Sequence, residues 1–230
     1  SGGPDSICLL HVLHSLMKEY KLQLFAAHLN HNFRGLDALM DAQYVANFCE
    51  ELNIISFIKS ENVSRYAKEH SLSDEEAGRI LRYEFFDEVA ERVGATKIAI
   101  AHNQNDQAET VLMRLLRGTG IQGLTAIHHG RGRIIRPLLD VNRQEIEDYC
   151  LINKLSPRTD DTNLEPIYHR NKIRLELIPY LQEQYNPNII ESLAKTAEIL
   201  KKDNDFMEEA AWAEYQQVRL LAREGCLELS

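Results

Sequence analysis

A chain of 230 residues with 44% hydrophobic and 27% charged residues has the make-up of a globular protein, which excludes collagen-like, mucin-like and disordered polymers. Thirty-five acidic against 26 basic side chains leave a formal charge of −9, so bulk charge does not make it a nucleic-acid coat, and any RNA contact needs a local basic patch. No apolar run approaches the roughly 18 to 20 residues of a membrane span, which predicts a soluble protein without a membrane partner.

Ser1-Gly2-Gly3-Pro4-Asp5-Ser6 is a glycine-rich turn running into a helical stripe, Ile7, Leu10, Leu13 and Met17, that ends near Lys18 to Lys21. Residues 22–29 (LQLFAAHL) read as a strand buried on both faces. A polar loop over 30–35 leads to a helix near 37–52, with Tyr44, Phe48 and Leu52 inward, and then to a strand over 54–58. Ile80, Tyr83, Phe86, Val89 and Val93 recur at helical spacing and predict a long helix over 74–93 with Gly94 as its C-cap. A strand over 97–102 (KIAIAH), a helix near 106–117 and a short strand over 133–138 follow. Asn142 with Glu145 has the form of a capping box for a helix to about Asn153.

Repeated βα units predict an α/β fold, a doubly wound, Rossmann-like parallel sheet with helices on both faces and a ligand site at the carboxyl ends of its strands. From Asn186 the pattern is helical only, through Ile190, Leu193, Ala197, Leu200, Met207, Ala211 and Tyr215. The expected division is a catalytic domain over 1–185 and, over 186–230, a helical linker or the start of a second domain. The amphipathic stretch near 188–223 suits either a linker or the seam of a homodimer. Cys8, Cys49, Cys150 and Cys226 form no CxxC and no zinc spacing, so reduced, buried thiols in a cytoplasmic protein are expected. With no initiator methionine and no strand before Ser1, the sequence reads as an excerpt of a longer chain.

The opening hexapeptide is the most informative stretch. Glycines let a backbone approach an anion, a helix N-terminus turns free N–H groups toward it, and serine hydroxyls add donors. No Lys follows, so it is not the Walker loop. Alone, it also fits a surface turn with a good N-cap. Asp5 inside such a loop suggests a Mg²⁺ bridging to phosphate, although a carboxylate in a first helical turn also stabilises the dipole.

Asp106 and Glu109 are three apart at the start of a helix and share a face suited to a cation, while Asp106 also fits an N-cap. His28 and His102 each end an apolar strand run, where sites form in this fold class; of the two, His102 is the catalytic candidate. Arg114, Arg117, Arg131, Arg133, Arg136 and Arg143 fall in a stretch whose only acid is Asp140, an electrostatic footprint for an RNA backbone. Singly, each also fits a solvated surface.

SGGPDS resembles the pyrophosphate loop of the N-type ATP pyrophosphatases, whose fold is that of the adenine nucleotide alpha hydrolases. AHLNHNFRG (27–35), GRILRYEFF (78–86), AHNQNDQAETVLMRLLRGTGIQGL (101–124), IIRPLL (134–139) and RNKIR (170–174) stand in the order and spacing of the tRNA(Ile)-lysidine synthetase family. That family adenylates the wobble cytidine of tRNA(Ile) with a CAU anticodon at C2, using ATP, and then lets L-lysine displace AMP. The resemblance implies that Ser1, Gly2, Gly3, Pro4, Asp5 and Ser6 hold ATP, with Asp5 toward Mg²⁺, and that His28 and Asn30 line the adenosine pocket.

It further implies that Asp106 and Glu109 bind lysine, that Arg82 stabilises phosphate charge, and that the region of Arg158, Asp161, Asn163, Arg170, Asn171 and Arg174 folds back over the active site, with Arg170 and Asn171 contacting substrate or locking the lid; Arg170, Asn171 and Arg174 join Arg114, Arg117, Arg131 and Arg133 as the residues expected to meet RNA. A proton acceptor for the lysine amine is required, and Glu109 and His102 remain alternatives for it. Asn105 and Leu81 depart from the common family residues without removing a ligand. The alternatives are another pyrophosphate-loop adenylating enzyme, such as a tRNA thiolase or an amidating synthetase, and a non-catalytic RNA-binding module. A thiolase is disfavoured by the missing CxxC.

Overall fold

Gly3, extended at φ −72° and ψ 162°, caps the first helix, α1 (Pro4–Tyr20), and Pro4 starts it with a ring already set to the helical φ. The structure is a computed structural model that describes residues 1–31, 36–158, 169–223 and 226–229. The described chain forms two compact units, Ser1–Asn103 with His129–Asn163, and Gln104–His128 with Leu164–Ser230.

In the first unit, α1 ends on Lys21 in the left-handed region, and the Leu22 amide donates to the Met17 carbonyl at 2.9 Å. That closure uses the first residues of the segment expected to be a strand, so β1 covers Phe25–Asn30 rather than 22–29. It pairs in parallel with β2 (Ile55–Ser60), Phe25 opposite Ile55 and Asn30 opposite Ser60, around α2 (Leu36–Glu51). A helix that the periodicity did not announce, α3 (Val63–His70), starts on an Asn62 side-chain cap. Helix α4 (Asp74–Val93) has the expected bounds. Ser73 caps its start, Asp74, Glu75 and Glu76 favour its positive end, and Gly94 closes it at φ +67°.

KIAIAH and RIIRPL keep only two residues each in strand pairing, β3 (Ile98–Ala99) and β5 (Ile134–Ile135), which run parallel. Beyond β5, Pro137 has no N–H to continue a ladder and the chain turns, the Leu139 amide donating to the Arg136 carbonyl. An antiparallel strand, β4 (Gly130–Arg131), pairs with β5. The parallel α/β character of the chain therefore holds, with the described parallel pairings in two separate sheets. Helix α7 (Arg143–Ile152) opens on the expected capping box, with Asn142 and Glu145 exchanging hydrogen bonds of 2.9 Å each way. Helices α1 and α7 bury Cys8, Leu9, Ile146 and Cys150 against Leu138. Leu29 packs on Phe85 and Val89, which fixes the carboxyl end of β1 on α4.

In the second unit, α5 (Gln104–Arg117) and α6 (Ile121–Leu124) are followed by α8 (His169–Lys172). Asp161 and Asn163 lie outside the described residues. Helix α8 runs on into a π-helical turn, Ile173–Leu177, closed by the Ile178 amide on the Ile173 carbonyl, and then into α9 (Ile178–Gln184). Pro179 cannot bond to the carbonyl four residues back, and widening the helix there relieves its ring clash. Ala108 and Leu112 of α5 pack on Ile173 and Ile178.

Helix α10 covers Ile189–Val218, shorter than the helical pattern expected to reach 223. The chain then forms an antiparallel pair, β6 (Arg219–Arg223) and β7 (Cys226–Leu229). Leu227-Glu228-Leu229 alternates with period two, which is strand spacing.

Candidate functional site

The first unit carries the loop Ser1–Ser6 and four arginine-centred contacts around it. Gly2 is buried, and a Cβ there would lie 3.0 Å from Tyr44 Cδ1, so the backbone runs close against the ring and a larger residue would have to push Tyr44 aside. The Gly2 carbonyl accepts the Arg158 amide at 2.9 Å, while the Arg158 guanidinium is paired with Asp41. Both bonds anchor the loop. The Ser1 and Ser6 hydroxyls are 3.0 Å apart and cross the turn.

Asp5, in the first turn of α1, receives the Asn103 side-chain amide at 2.9 Å and Arg143 Nη1 at 3.2 Å. Arg143 also donates to Glu147 at 2.6 Å. Neither Asn103 nor the role of Arg143 beside Asp5 emerges from the sequence, because their partner is about a hundred residues or more away. Among the described residues no cluster of three His, Cys, Asp or Glu side chains is built to hold a metal. One carboxylate suffices for a Mg²⁺ that takes its remaining oxygens from phosphates and water, so Asp5 fits that kind of ion and not an all-protein cage.

At the end of β1, His28 and Asn30 are both buried, and the Asn30 amide donates to the Ala38 carbonyl at 3.2 Å. Burial holds the His28 imidazole neutral, with its pKa pushed down to about 4. His31, absent from the residues expected in the site, accepts Arg82 Nη2 on its Nε2 at 2.9 Å. Burial first and the Arg82 charge second bring its pKa to about 4. The signal for His31 was present in the NHN step of AHLNHNFRG, since it follows Asn30 directly. After β3, His102 Nδ1 receives Arg136 Nε at 2.9 Å. Arg131 and Arg133 are exposed on the β4–β5 hairpin, where Gly132 takes φ +60°.

The second unit holds an acid–base quartet. Asp106 and Glu109 share the first turns of α5. Arg170 and Arg174, four apart across α8 and the π-helical turn, meet them from the other side. Arg170 Nε donates to Glu109 Oε2 at 2.6 Å and its Nη2 to Asp106 Oδ1 at 2.7 Å. Arg174 Nε donates to Glu109 Oε1 at 2.6 Å, with Nη2 reaching Asp106 at 3.4 Å. Glu109 is 1% exposed, so its charge is tolerated because it is paired.

Arg170 and Arg174, expected on an RNA surface, thus spend their guanidiniums on the expected lysine carboxylates. Arg114 donates to the Gly123 carbonyl at 2.7 Å, Arg117 is exposed, and Asn171 is half-buried. Gln107, also missed in the sequence, bonds Ile127 through both its amide nitrogen and its oxygen at 3.0 and 2.7 Å, and so ties the start of α5 to the segment after α6.

Comparison with known proteins places this geometry in a family. The model of the PP-loop domain matches residues 1–181. The tRNA(Ile)-lysidine synthase of Clostridioides difficile (strain 630) is 52% identical over 231 residues, covering 100% of this chain and 50% of the relative. The enzyme of that name from Clostridium acetobutylicum is 50% identical, covering 94% and 47%. That of Geobacillus kaustophilus is 42% identical, covering 92% and 46%. The chain therefore spans about half the length of the curated relatives it matches.

A solved structure, the U34-tRNA thiolase NcsA from Methanococcus maripaludis with its [4Fe-4S] cluster, superposes with a TM-score of 0.67 over 87% of this chain and 70% of its own, at 19% identity, which speaks for the fold alone. No described helix is long and apolar enough to cross a membrane. With a glycine-rich loop at the head of α1 and a family model matched from residue 1 to residue 181, the chain belongs to the PP-loop domain family.

Proposed function

We propose that this chain carries the catalytic part of a tRNA(Ile)-lysidine synthase, which uses ATP to adenylate the wobble cytidine of tRNA(Ile) with a CAU anticodon at C2 and then joins L-lysine there, releasing AMP and pyrophosphate. The observation that carries the reading is the identity of about half of all positions with synthases of that name across essentially the whole chain.

The loop amides of Gly2 and Gly3, with the Ser1 and Ser6 hydroxyls, bind the departing pyrophosphate at the positive end of α1. Asp5 would hold Mg²⁺, which would neutralise phosphate charge there. His28 and Asn30 bound the adenosine pocket, and Arg82 stabilises charge on the transferring phosphate.

Lysine brings an ammonium to Asp106 and Glu109, so it replaces a guanidinium rather than filling a vacant acid pair. Arg170 or Arg174 then turns to another anion, and the tRNA backbone supplies one. The exposed Arg117, Arg131 and Arg133 serve the same backbone, which gives an acidic chain its local RNA footprint.

Incubation of the protein with ATP, Mg²⁺, labelled lysine and tRNA(Ile) bearing CAU tests the reading. Label in RNA together with AMP release supports it. AMP formation without lysine in RNA moves the substrate to another member of the pyrophosphate-loop group.

A further inference from the structure

Two adjacent glycines make the head of α1 easy to reshape. Gly3 stands at φ −72° as the N-cap of α1, and turning over the peptide that joins it to Gly2 would carry that angle to about +108°, a region open to glycine and closed to other residues. In a planar trans peptide the carbonyl and the following N–H point to opposite sides. The two orientations of this peptide therefore offer an arriving anion either the Gly3 donor or the Gly2 carbonyl oxygen, attraction or repulsion. Pro4 has no N–H, so between Gly2 and Asp5 the Gly3 amide is the only backbone donor.

The choice between the two orientations is made from outside the hexapeptide. The Gly2 carbonyl accepts the Arg158 amide at 2.9 Å. A Cβ on Gly2 would lie 3.0 Å from Tyr44 Cδ1 and 3.8 Å from Arg158 Cβ, so the ring and the chain at Arg158 both stand against this glycine. The Arg158 guanidinium is ion-paired with Asp41, and the two side chains are only 33% and 19% exposed, which ties Arg158 to α2. Asp41 and Tyr44 are three apart on α2 and share a face. Tyr44 stacks on Phe48 with ring centroids 6.3 Å apart and packs against Val45, Cys49 and Ile54. The support of the loop thus reaches into the core of its own unit.

We infer that Arg158, held by Asp41, is a positioning residue for the opening loop: it keeps the Gly2 carbonyl turned away from the bound anion and the Gly3 N–H turned toward it. The inference rests on the adenylation reading above, in which that anion is the pyrophosphate end of ATP. Arg158 acts through the backbone of the loop, and its charge is used on Asp41.

Titration calorimetry of the whole chain with ATP and with inorganic pyrophosphate, each with Mg²⁺, reads the loop. Arg158→Met and Asp41→Asn should each weaken both ligands about tenfold, the order of one hydrogen bond to a charged oxygen. Gly3→Ala supplies the sharper comparison. Alanine fits φ −72°, where its Cβ would come no closer than 3.6 Å to Ser1 Oγ, but it closes the turned-over peptide. Within the Gly3→Ala protein, Arg158→Met should therefore weaken the ligands less than about threefold. An equal loss in both backgrounds makes the lost charge the cause, and overturns the inference.

Deuterium exchange at the Arg158 amide reads the same bond with no ligand present. Protection is expected in the parent protein and its loss in Asp41→Asn. A fast-exchanging Arg158 amide in the parent, or protection unchanged in Asp41→Asn, also overturns the inference. Should the parent bind neither ATP nor pyrophosphate, the pyrophosphate-loop reading fails by itself, and exchange decides whether Arg158 holds the loop. Exchange decides likewise if Gly3→Ala alone abolishes binding.

Discussion

Arg174 reaches Glu109 with Nε at 2.6 Å from one carboxylate oxygen and Nη2 at 3.1 Å from the other. Arg170 adds a third charged bond to the same buried carboxylate. A carboxylate taken out of water in this way depends on its partners, and leaving one uncompensated typically costs about 3–5 kcal/mol. Replacing both Arg170 and Arg174 by Met should lower stability by roughly that amount, while Arg174→Met alone, with Arg170 still in place, should cost well under half of it. Urea unfolding of the two variants checks this, and equal losses would deny the shared clasp.

Lysine recognition by the same quartet predicts a division of kinetic effects. Asp106→Asn and Glu109→Gln should raise the KM for lysine at least about tenfold, the order of one charged hydrogen bond, with tRNA-dependent ATP–pyrophosphate exchange largely kept. Steady-state kinetics in both substrates tests it, and unchanged lysine KM in both variants removes lysine from these carboxylates.

Asp5 is the loop carboxylate proposed for Mg²⁺, and Asn103 and Arg143 hold it in place. Asp5→Asn should weaken ATP binding in the presence of Mg²⁺ about tenfold or more and have a smaller effect on ATP without the metal. Calorimetric titration with and without Mg²⁺ distinguishes this from a simple loss of the helix-start charge, which would act equally in both.

His28 and His31 set an acid limit on the fold. Burial pushes both down to about 4, below the ordinary 6.5 of an exposed imidazole. The unfolded chain therefore binds more protons between those values, so stability rises with pH across that window and is lost as pH falls from about 6.5 toward 4. His28→Gln should flatten that part of the stability–pH curve, at about 1.4 kcal/mol per pKa unit removed. Denaturant midpoints at several pH values give the comparison.

Cys8, Cys49 and Cys150 are free and buried, and burial raises the Cys8 thiol to about 11. Iodoacetamide at mildly alkaline pH should leave these three unlabelled in folded protein and label them in denaturant. Mass mapping reads the result residue by residue.

What the sequence made legible was local. Ser73 and Gly94 bracket α4 within a few bonds of the chain, and the Asn142–Glu145 box needs only its own four residues. Asp106 and Glu109 share a face because helical spacing requires it. What stayed hidden depends on distant partners. Strand β3 is two residues long because β5 offers it no more, and the pairs Arg136–His102, Arg143–Asp5 and Arg158–Asp41 are separated by 34, 138 and 117 positions. A run of arginines read as one basic patch is in fact divided. Arg114, Arg136 and Arg143 bond within the fold, while Arg117, Arg131 and Arg133 face solvent.

The π-helical turn at Ile173–Leu177 gives the polypeptide one more residue per turn than its flanks. Each residue advances an α-helix by about 100°, so this single surplus rotates everything downstream by that angle relative to Arg170. The basic face of α8 and the buried Ile178 of α9 can therefore be set independently, although they belong to one continuous rod. A one-residue deletion inside the turn would leave a good α-helix and spoil its aim: either the guanidiniums would leave Glu109 or Ile178 would leave the core. The segment works as a phase adjuster, whose length sets the aim of Ile178 relative to Arg170 while its own Ile173 and Arg174 serve the core and Glu109.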